Sequence, residues 1–301
     1  MTASALHYIF AYGSLICPKS RAVTAPTVAE RTATPVVVKN VERTWAKKAS
    51  MSGMTAMGVR FMDGAECVGV LLPVNDSELG AFDKREKGYD RGKFFFCGYV
   101  LLSCLRICLE LSHSPLAYRS PTRKITVPLD LDDVEPVPFL DEKVYDEEGH
   151  EVFLEAKEKD ELEADINIWM YHQQDLQPPS PEAPIAQSYV DTILRGCLSI
   201  SEDFAEKFIA DTKGWTPSEV DDYEENDNIS VEEQSSSSDS SVNSNSSDNE
   251  VYWVNDRHDP IYTRGDQEFM LEYGPELDQL LKQHREEEFQ HRSRRVRLSA
   301  E

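Results

Sequence analysis

The sequence is short of positive charge. It holds 31 Lys and Arg residues against 55 Asp and Glu residues, for a formal net charge of −24 at pH 7. A chain with this balance lacks the basic surface that general binding to nucleic acids or to anionic membranes requires. The composition therefore predicts that neither nucleic acid nor a membrane is a partner.

The excess of acidic residues is concentrated in two segments. Residues 219–250 hold eleven acids and no Lys or Arg, and residues 141–165 hold twelve acids and three lysines. The rest of the chain is nearly balanced, so the acidity is a local property and does not indicate an acidic site. We interpret residues 146–165 as an acidic loop or helix. Residues 218–250 become rich in serine and predict a disordered linker, because they offer too little apolar surface to offset the entropy of ordering.

The sequence also lacks paired cysteines and a long apolar run. None of its six cysteines forms a C-x-x-C pair and no His/Cys cluster has zinc spacing, which favours free thiols and no metal. The apolar stretch 94–109 has only sixteen residues and includes Arg106, short of the roughly 20 residues of a membrane-spanning helix. The N-terminus has no basic region followed by an apolar run, so we expect no signal peptide and a cytoplasmic location.

The order of apolar patterns predicts an α+β fold. Strands come mainly first and helices late, which favours a small, mixed, barrel-like β-sheet flanked by helices, with a charged helix near the C-terminus. Asp63-Gly64 is predicted to turn a hairpin between two of the strands. Predicted strands are 7–12, 35–46, 54–61, 66–74, 133–145 and 166–171, and predicted helices follow Asp76-Ser77, run from Gln187 to Gly196, and span 201–212 and 276–297.

One predicted helix carries a carboxylate on its apolar face. At about 100° per residue, Leu79, Phe82, Glu86 and Tyr89 share one narrow face. Burying a bare carboxylate is costly unless it is paired, neutralised or used. Partial burial among apolar groups also raises the pKa of a carboxylic acid, which suits a group that accepts and then returns a proton near neutral pH.

Three stretches in a fixed order resemble the γ-glutamylcyclotransferase-like family. "YIFAYGSLICPKS" (8–20) is similar to its strand that ends in Tyr-Gly-Ser-Leu, and "FDKREKGYDR" (82–91) is similar to its acidic signature. "PIAQSYVDTILRGCLSI" (184–200) resembles its Pro-rich stretch and Tyr-bearing helix. The resemblance covers most of residues 6–214, which we interpret as one domain, and leaves 251–301 as a C-terminal extension.

The resemblance implies a reaction that needs neither a metal nor another cofactor. In that family the α-amine of a γ-glutamyl group attacks its own γ-carbonyl, which forms 5-oxoproline and releases an amine or amino acid. The acid and base that this implies is Glu86. The residues implied to hold the γ-glutamyl substrate are Tyr12, Gly13, Ser14, Leu15 and Tyr189.

Other interpretations of the same residues stay open. Glu86 is also explained as a structural partner of Arg85 or Arg91, and the whole domain as an inactive module that binds a ligand or another protein. The leaving group, whether an amino acid, the remainder of glutathione or another amine, is left open by one sequence, as is the oligomeric state.

Residues 92–126 depart from the family pattern. They are rich in cysteine and apolar residues and then in Ser, Pro and Arg; without them the chain reads "GYDR-VPLDLDDVEPV", a smooth passage from helix to strand. Three interpretations remain for this atypical insertion: a retained intron in the gene model, a hydrophobic insertion that buries itself or makes a dimer contact, and a membrane anchor.

Overall fold

A computed structural model describes residues 6–49, 53–94, 134–136, 166–173, 176–216 and 252–294. The predictions made for the linker 218–250, for the acidic segment 146–165 and for most of the insertion 92–126 lie outside these residues. Within the described part of the chain, no helix is both long enough and apolar enough to cross a membrane.

The described strands form one mixed sheet. Its order is β4-β6-β1-β3-β7-β8-β9, and β2 pairs with β3 and with β5. The strands are β1 (Leu6–Ala11), β2 (Thr34–Ala49), β3 (Met54–Val74), β4 (Asp90–Phe94), β5 (Val134–Pro136), β6 (Ile166–His172), β7 (Ile185–Ala186), β8 (Trp253–Asn255) and β9 (Ser293–Arg294).

Helices flank this sheet, so the prediction of an α+β fold with a mixed sheet is confirmed. A 3₁₀ turn, Ser14–Ile16, follows β1. The α-helices are α1 (Pro18–Ala22), α2 (Pro26–Ala29), α3 (Asp76–Arg85), α4 (Gln187–Leu198), α5 (Glu202–Asp211), α6 (Gln267–Glu272), α7 (Gly274–His284) and α8 (Glu286–Gln290).

Strand β1 lies inside the sheet, and its C-terminal end leads into the candidate site. It pairs antiparallel with β3 and parallel with β6. Tyr8, Ile9, Phe10 and Ala11 are all buried. A continuous apolar run is typical of a strand covered on both faces, and here it leads directly into the turn that begins at Ser14.

The predicted hairpin at Asp63-Gly64 is wrong. Both of its supposed strands belong to β3 and pair with β2 on either side of residues 62–65, from Thr34↔Leu71 to Ala49↔Met54. The register shifts at Asn40, whose side chain accepts a hydrogen bond from the Gly64 amide at 2.9 Å. Gly64 takes a positive φ of 78°. The Asp-Gly pair therefore forms a bulge, which lets one long strand bend instead of reversing it.

Helix α3 is capped one position before the predicted pair Asp76-Ser77, and it ends four positions before Tyr89, which the helical projection had included. Its N-cap is Asn75, not Asp76-Ser77: the Asn75 side chain accepts from the Glu78 amide at 2.9 Å, and the Glu78 carboxylate accepts from the Asn75 amide at 2.8 Å. This reciprocal pair is a capping box. The helix ends at Arg85, so Glu86 is its C-cap residue and Tyr89 lies in the following turn.

Gly196 does not end helix α4, which continues to Leu198. It lies inside the helix because the helix touches the chain after β1 there. A Cβ on Gly196 would lie 2.6 Å from the Cys17 nitrogen and 2.7 Å from the Ile16 carbonyl carbon. The glycine therefore permits a close backbone contact that no larger residue allows.

The predicted charged helix over 276–297 is broken into two. Helix α7 ends at His284 and α8 begins at Glu286, because Arg285 between them leaves helical geometry. Its guanidinium donates to the carbonyls of Ala210 and Thr212 at 2.9 and 2.6 Å. These carbonyls lie at the C-terminus of α5, where a cation is favoured.

Candidate functional site

A pocket opens where β1 ends. It has an empty volume of about 330 Å³, open solvent included. Its walls come from β1 and the following turn, from β3, from the chain after α3, from β6 and from α4. The lining residues are Phe10, Ala11, Tyr12, Gly13, Ser14, Leu15, Met57, Glu86, Tyr89, Tyr171 and Tyr189. All six residues singled out from the sequence are among them; their chemical roles remain predictions.

The turn after β1 brings backbone amides to the pocket wall. Its first internal hydrogen bond runs from the Ile16 amide to the Gly13 carbonyl, at 2.9 Å. The amides of Ser14 and Leu15 precede that bond, so the turn itself gives them no acceptor. Gly13 has little space around it: a Cβ there would lie 3.3 Å from both Met57 and the Tyr189 hydroxyl. This arrangement suits a carboxylate or a developing oxyanion.

Glu86 enters the pocket from the end of α3. Its backbone amide donates to the Phe82 carbonyl at 2.8 Å, which keeps it in line with the helix. Its side chain is 17% exposed, and Oε1 lies 3.0 Å from Nε of the buried Arg85. That nitrogen forms no hydrogen bond of good geometry, so the contact is an ion pair without a directed bond. Arg91 instead pairs with Asp83 at 3.1 Å.

Tyrosines form most of the remaining pocket wall. The Tyr89 hydroxyl donates to the Met57 carbonyl at 2.6 Å, and the Tyr12 hydroxyl donates to the Tyr171 carbonyl. Burial raises the pKa of Tyr12 and of Tyr89 well above the usual range, and the negative charge of Glu86 adds to both shifts. These phenols therefore keep their protons at neutral pH.

Tyr189 reaches the same wall from helix α4. Burial raises its pKa, the nearby Tyr262 phenol and the Glu86 carboxylate add to the rise, and hydrogen bonds from Ser14 and the Met57 backbone offset part of it. Its ring packs edge-on against Trp45 at a centroid distance of 5.8 Å. These contacts place the hydroxyl beside the turn that begins at Ser14.

Sequence reasoning missed several residues of the site. Tyr89 had been placed on the same face as Glu86 without a role, and Tyr171 lay in a predicted strand, where alternation alone does not reveal a pocket. Met57 gave no signal at all. Tyr262 lies behind the lining and has no local signature, while Arg85, also behind the lining, is named from the sequence only as a structural partner of Glu86.

No group of three or more His, Cys, Asp or Glu side chains within the described ranges is arranged to hold a metal ion. Cys17, Cys67 and Cys197 are free and buried. Burial raises the pKa of the Cys67 thiol to about 11, against an opposing effect of Arg43, so it stays protonated at neutral pH.

No family model and no curated protein matches the chain. Among solved structures it is similar to a gamma-glutamyl cyclotransferase, with 15% identity over 68% of this chain and 87% of that one and a TM-score of 0.37. It is similar to an uncharacterized protein from Homo sapiens, with 15% identity over 69% and 88% and a TM-score of 0.37. It is also similar to YkqA from Bacillus subtilis, with 17% identity over 67% and 52% and a TM-score of 0.36.

Proposed function

We propose that the protein is a γ-glutamylcyclotransferase-type enzyme of the cytoplasm that forms 5-oxoproline from a γ-glutamyl amine or amino acid. The observation that carries this proposal is the convergence of Glu86, Tyr189 and the Tyr12–Leu15 turn on one pocket. These residues come from three motifs separated by more than 60 positions each. Their meeting is what a reaction on one small molecule requires.

The chemistry assigned to Glu86 is a proton transfer in two directions. Its carboxylate takes a proton from the substrate's α-ammonium, and the free amine then attacks the γ-carbonyl carbon. The attack gives a tetrahedral carbon, and Glu86 returns the proton to the leaving nitrogen as the bond from that carbon to it breaks. The ring nitrogen still carries two hydrogens and passes one of them through Glu86 to the departing amine, which leaves as an ammonium while the ring becomes a neutral lactam. Two protons thus move from the ring nitrogen to the leaving amine, and the electron pairs balance within one substrate.

The turn after β1 supplies the complementary electrostatics. The amides of Ser14 and Leu15 are donors, and donors fixed in advance stabilise the oxyanion that develops on the attacked carbonyl. The protonated Tyr189 phenol stands beside them. Holding amine and carbonyl of one molecule in this geometry supplies the proximity that an intramolecular attack needs.

The test is turnover with a matched pair of variants. The purified full-length protein is incubated with γ-glutamyl amino acids, γ-glutamyl amines and glutathione, and 5-oxoproline is quantified. Glu86→Gln keeps the shape but removes the base, so we expect kcat to fall by a factor of about 10² to 10⁴. Glu272→Gln, an exposed change on α6, should leave it unchanged. Equal turnover in wild type and Glu86→Gln would refute the assignment of the base.

A non-catalytic ligand-binding module is the second candidate. The observation that favours it is the contact between Glu86 and Arg85, since a carboxylate engaged by a buried guanidinium is also a structural partner. This candidate predicts no turnover by wild type on the whole panel. It also predicts that 5-oxoproline or a γ-glutamyl compound binds with a calorimetrically measurable affinity that Gly13→Leu abolishes.

A further inference from the structure

The guanidinium of Arg85 joins three parts of the chain behind the pocket. Nη2 donates to the hydroxyls of Ser14 and Tyr262, each at 3.1 Å, and Nη1 donates to the Ser20 carbonyl at 2.7 Å. Its Nε lies 3.0 Å from Glu86 Oε1, and the Arg85 side chain is 2% exposed. One buried cation therefore touches the turn after β1, the proposed base and the segment that contains Tyr262.

Tyr262 touches both Arg85 and a wall of the pocket. Its hydroxyl shares a hydrogen bond with the Ser20 hydroxyl at 2.8 Å. Its ring packs edge-on against Tyr189, with centroids 4.7 Å apart. Neither Arg85 nor Tyr262 is among the residues that line the pocket, so any effect on a bound molecule passes through Ser14, Glu86 or Tyr189.

The segment around Tyr262 is itself fixed at the start of α4. The Tyr262 amide donates to the Ser188 hydroxyl at 3.1 Å, and that hydroxyl donates to Asp256 at 2.6 Å. The same carboxylate accepts from the amides of Ser188 and Ile261, both at 2.7 Å. A carboxylate with three donors holds the chain in one place, and with it the Tyr262 hydroxyl.

We propose that Arg85 and Tyr262 are positioning residues of the pocket. The segment that contains Tyr262 then contributes to the geometry of the site. This inference rests on the proposed function. Arg85 sets the separation of Ser14 and Glu86, and Tyr262 holds both the Arg85 guanidinium and the Tyr189 ring. Without the Tyr262 hydroxyl the guanidinium shifts, and a misplacement of about 1 Å in a reacting group costs up to about 100-fold in rate.

Tyr262→Phe in the full-length protein tests the proposal, because it removes one hydroxyl and keeps the ring on Tyr189. Tyr273→Phe is the control: Tyr273 is 45% exposed, and its ring stacks on Phe269. We expect kcat for 5-oxoproline formation to fall about tenfold in Tyr262→Phe with an unchanged KM, since chemistry is misaligned while binding is kept. The control should match wild type in both constants.

An active wild type with unchanged kcat in Tyr262→Phe overturns the positioning role and leaves the proposed function intact. An equal fall in both variants also overturns it, because it points to general destabilisation. If wild type has no turnover, the proposed function fails. Hydrogen exchange of the peptide over residues 13–24 then tests whether Tyr262 holds the turn after β1 in place. Faster exchange in Tyr262→Phe alone supports the tie between Tyr262 and the turn, and equal exchange in all three proteins overturns it.

Discussion

At the scale of single residues, burial acts in opposite directions on the titratable groups of this domain. It raises the pKa of Tyr12, Tyr89 and Tyr189, so these phenols stay protonated at neutral pH. It lowers the pKa of His172 at the end of β6, with a smaller opposing effect from Asp90. In both cases the charged form is the one that loses its hydration.

His172 should make stability depend on pH. Its Nε2 is buried and has no hydrogen-bond partner among the described residues. Because its folded-state pKa lies below the unfolded value of about 6.5, the unfolded chain binds more protons in between. The stability that depends on neutral His172 is therefore fully present above pH 6.5, and it is lost as pH falls through the folded-state pKa.

Urea unfolding at pH 7 and pH 5 measures this effect. We expect the free energy of unfolding to fall less between the two values in His172→Asn than in wild type. His258→Asn, at an exposed position, is the control and should behave as wild type. An identical loss of stability in all three proteins would contradict the assignment to His172.

At the scale of elements, two helical glycines differ in whether another backbone lies close to them. Helix α4 lies against the chain after β1 at Gly196, where a Cβ would meet backbone atoms of Cys17 within 2.7 Å. Backbone cannot move aside as a flexible side chain can. Gly80 inside α3 is the opposite case, since a Cβ there would meet nothing within 4 Å. The same residue type is therefore required in one helix and unfavourable in the other.

Gly196→Ala should destabilise the domain and Gly80→Ala should stabilise it. Overpacking at Gly196 is expected to cost about 1 to 3 kcal/mol in the free energy of unfolding. Replacing Gly80 by Ala inside a helix should add about 0.5 to 1 kcal/mol. Denaturant unfolding of the two variants against wild type measures both, and equal effects of the same sign would show that α4 can move away from Cys17.

At the scale of the whole molecule, a buried ion network attaches the C-terminal segment to the main domain. Arg257 contacts Asp191 on α4 at 2.6 Å and Asp278 on α7 at 2.8 Å. Burial raises the pKa of Asp191, while the hydrogen bonds and charge of Arg257 oppose it. Arg292 adds a bond to Asp278 at 2.8 Å. Strand β8 also pairs with β7, so residues 185–186 and 253–254 share one sheet.

Arg257→Met should therefore weaken the molecule strongly. It leaves Asp191 buried without its cation, and breaking such a pair costs about 3 to 5 kcal/mol. Arg264→Met, an exposed change in the same segment, should be near neutral. Thermal and denaturant unfolding of both variants measure the difference; a loss below about 1 kcal/mol for Arg257→Met would mean that the network does not hold the segment.

The local elements could be proposed from the sequence itself. The apolar run of β1 and the helical periodicity of α5 are patterns within a few positions, and such patterns are encoded locally. Six residues of the pocket were implied by the resemblance of three short motifs to a known family.

Only the tertiary structure decided which elements meet. Gly64 bends β3 instead of turning a hairpin because Asn40, on another strand, binds its amide. Arg285 breaks a predicted helix because the carbonyls at the end of α5 accept its protons. Tyr262 reaches Arg85 across 177 positions. Such contacts leave no local signature, since they depend on partners far along the chain that come together only when the core packs.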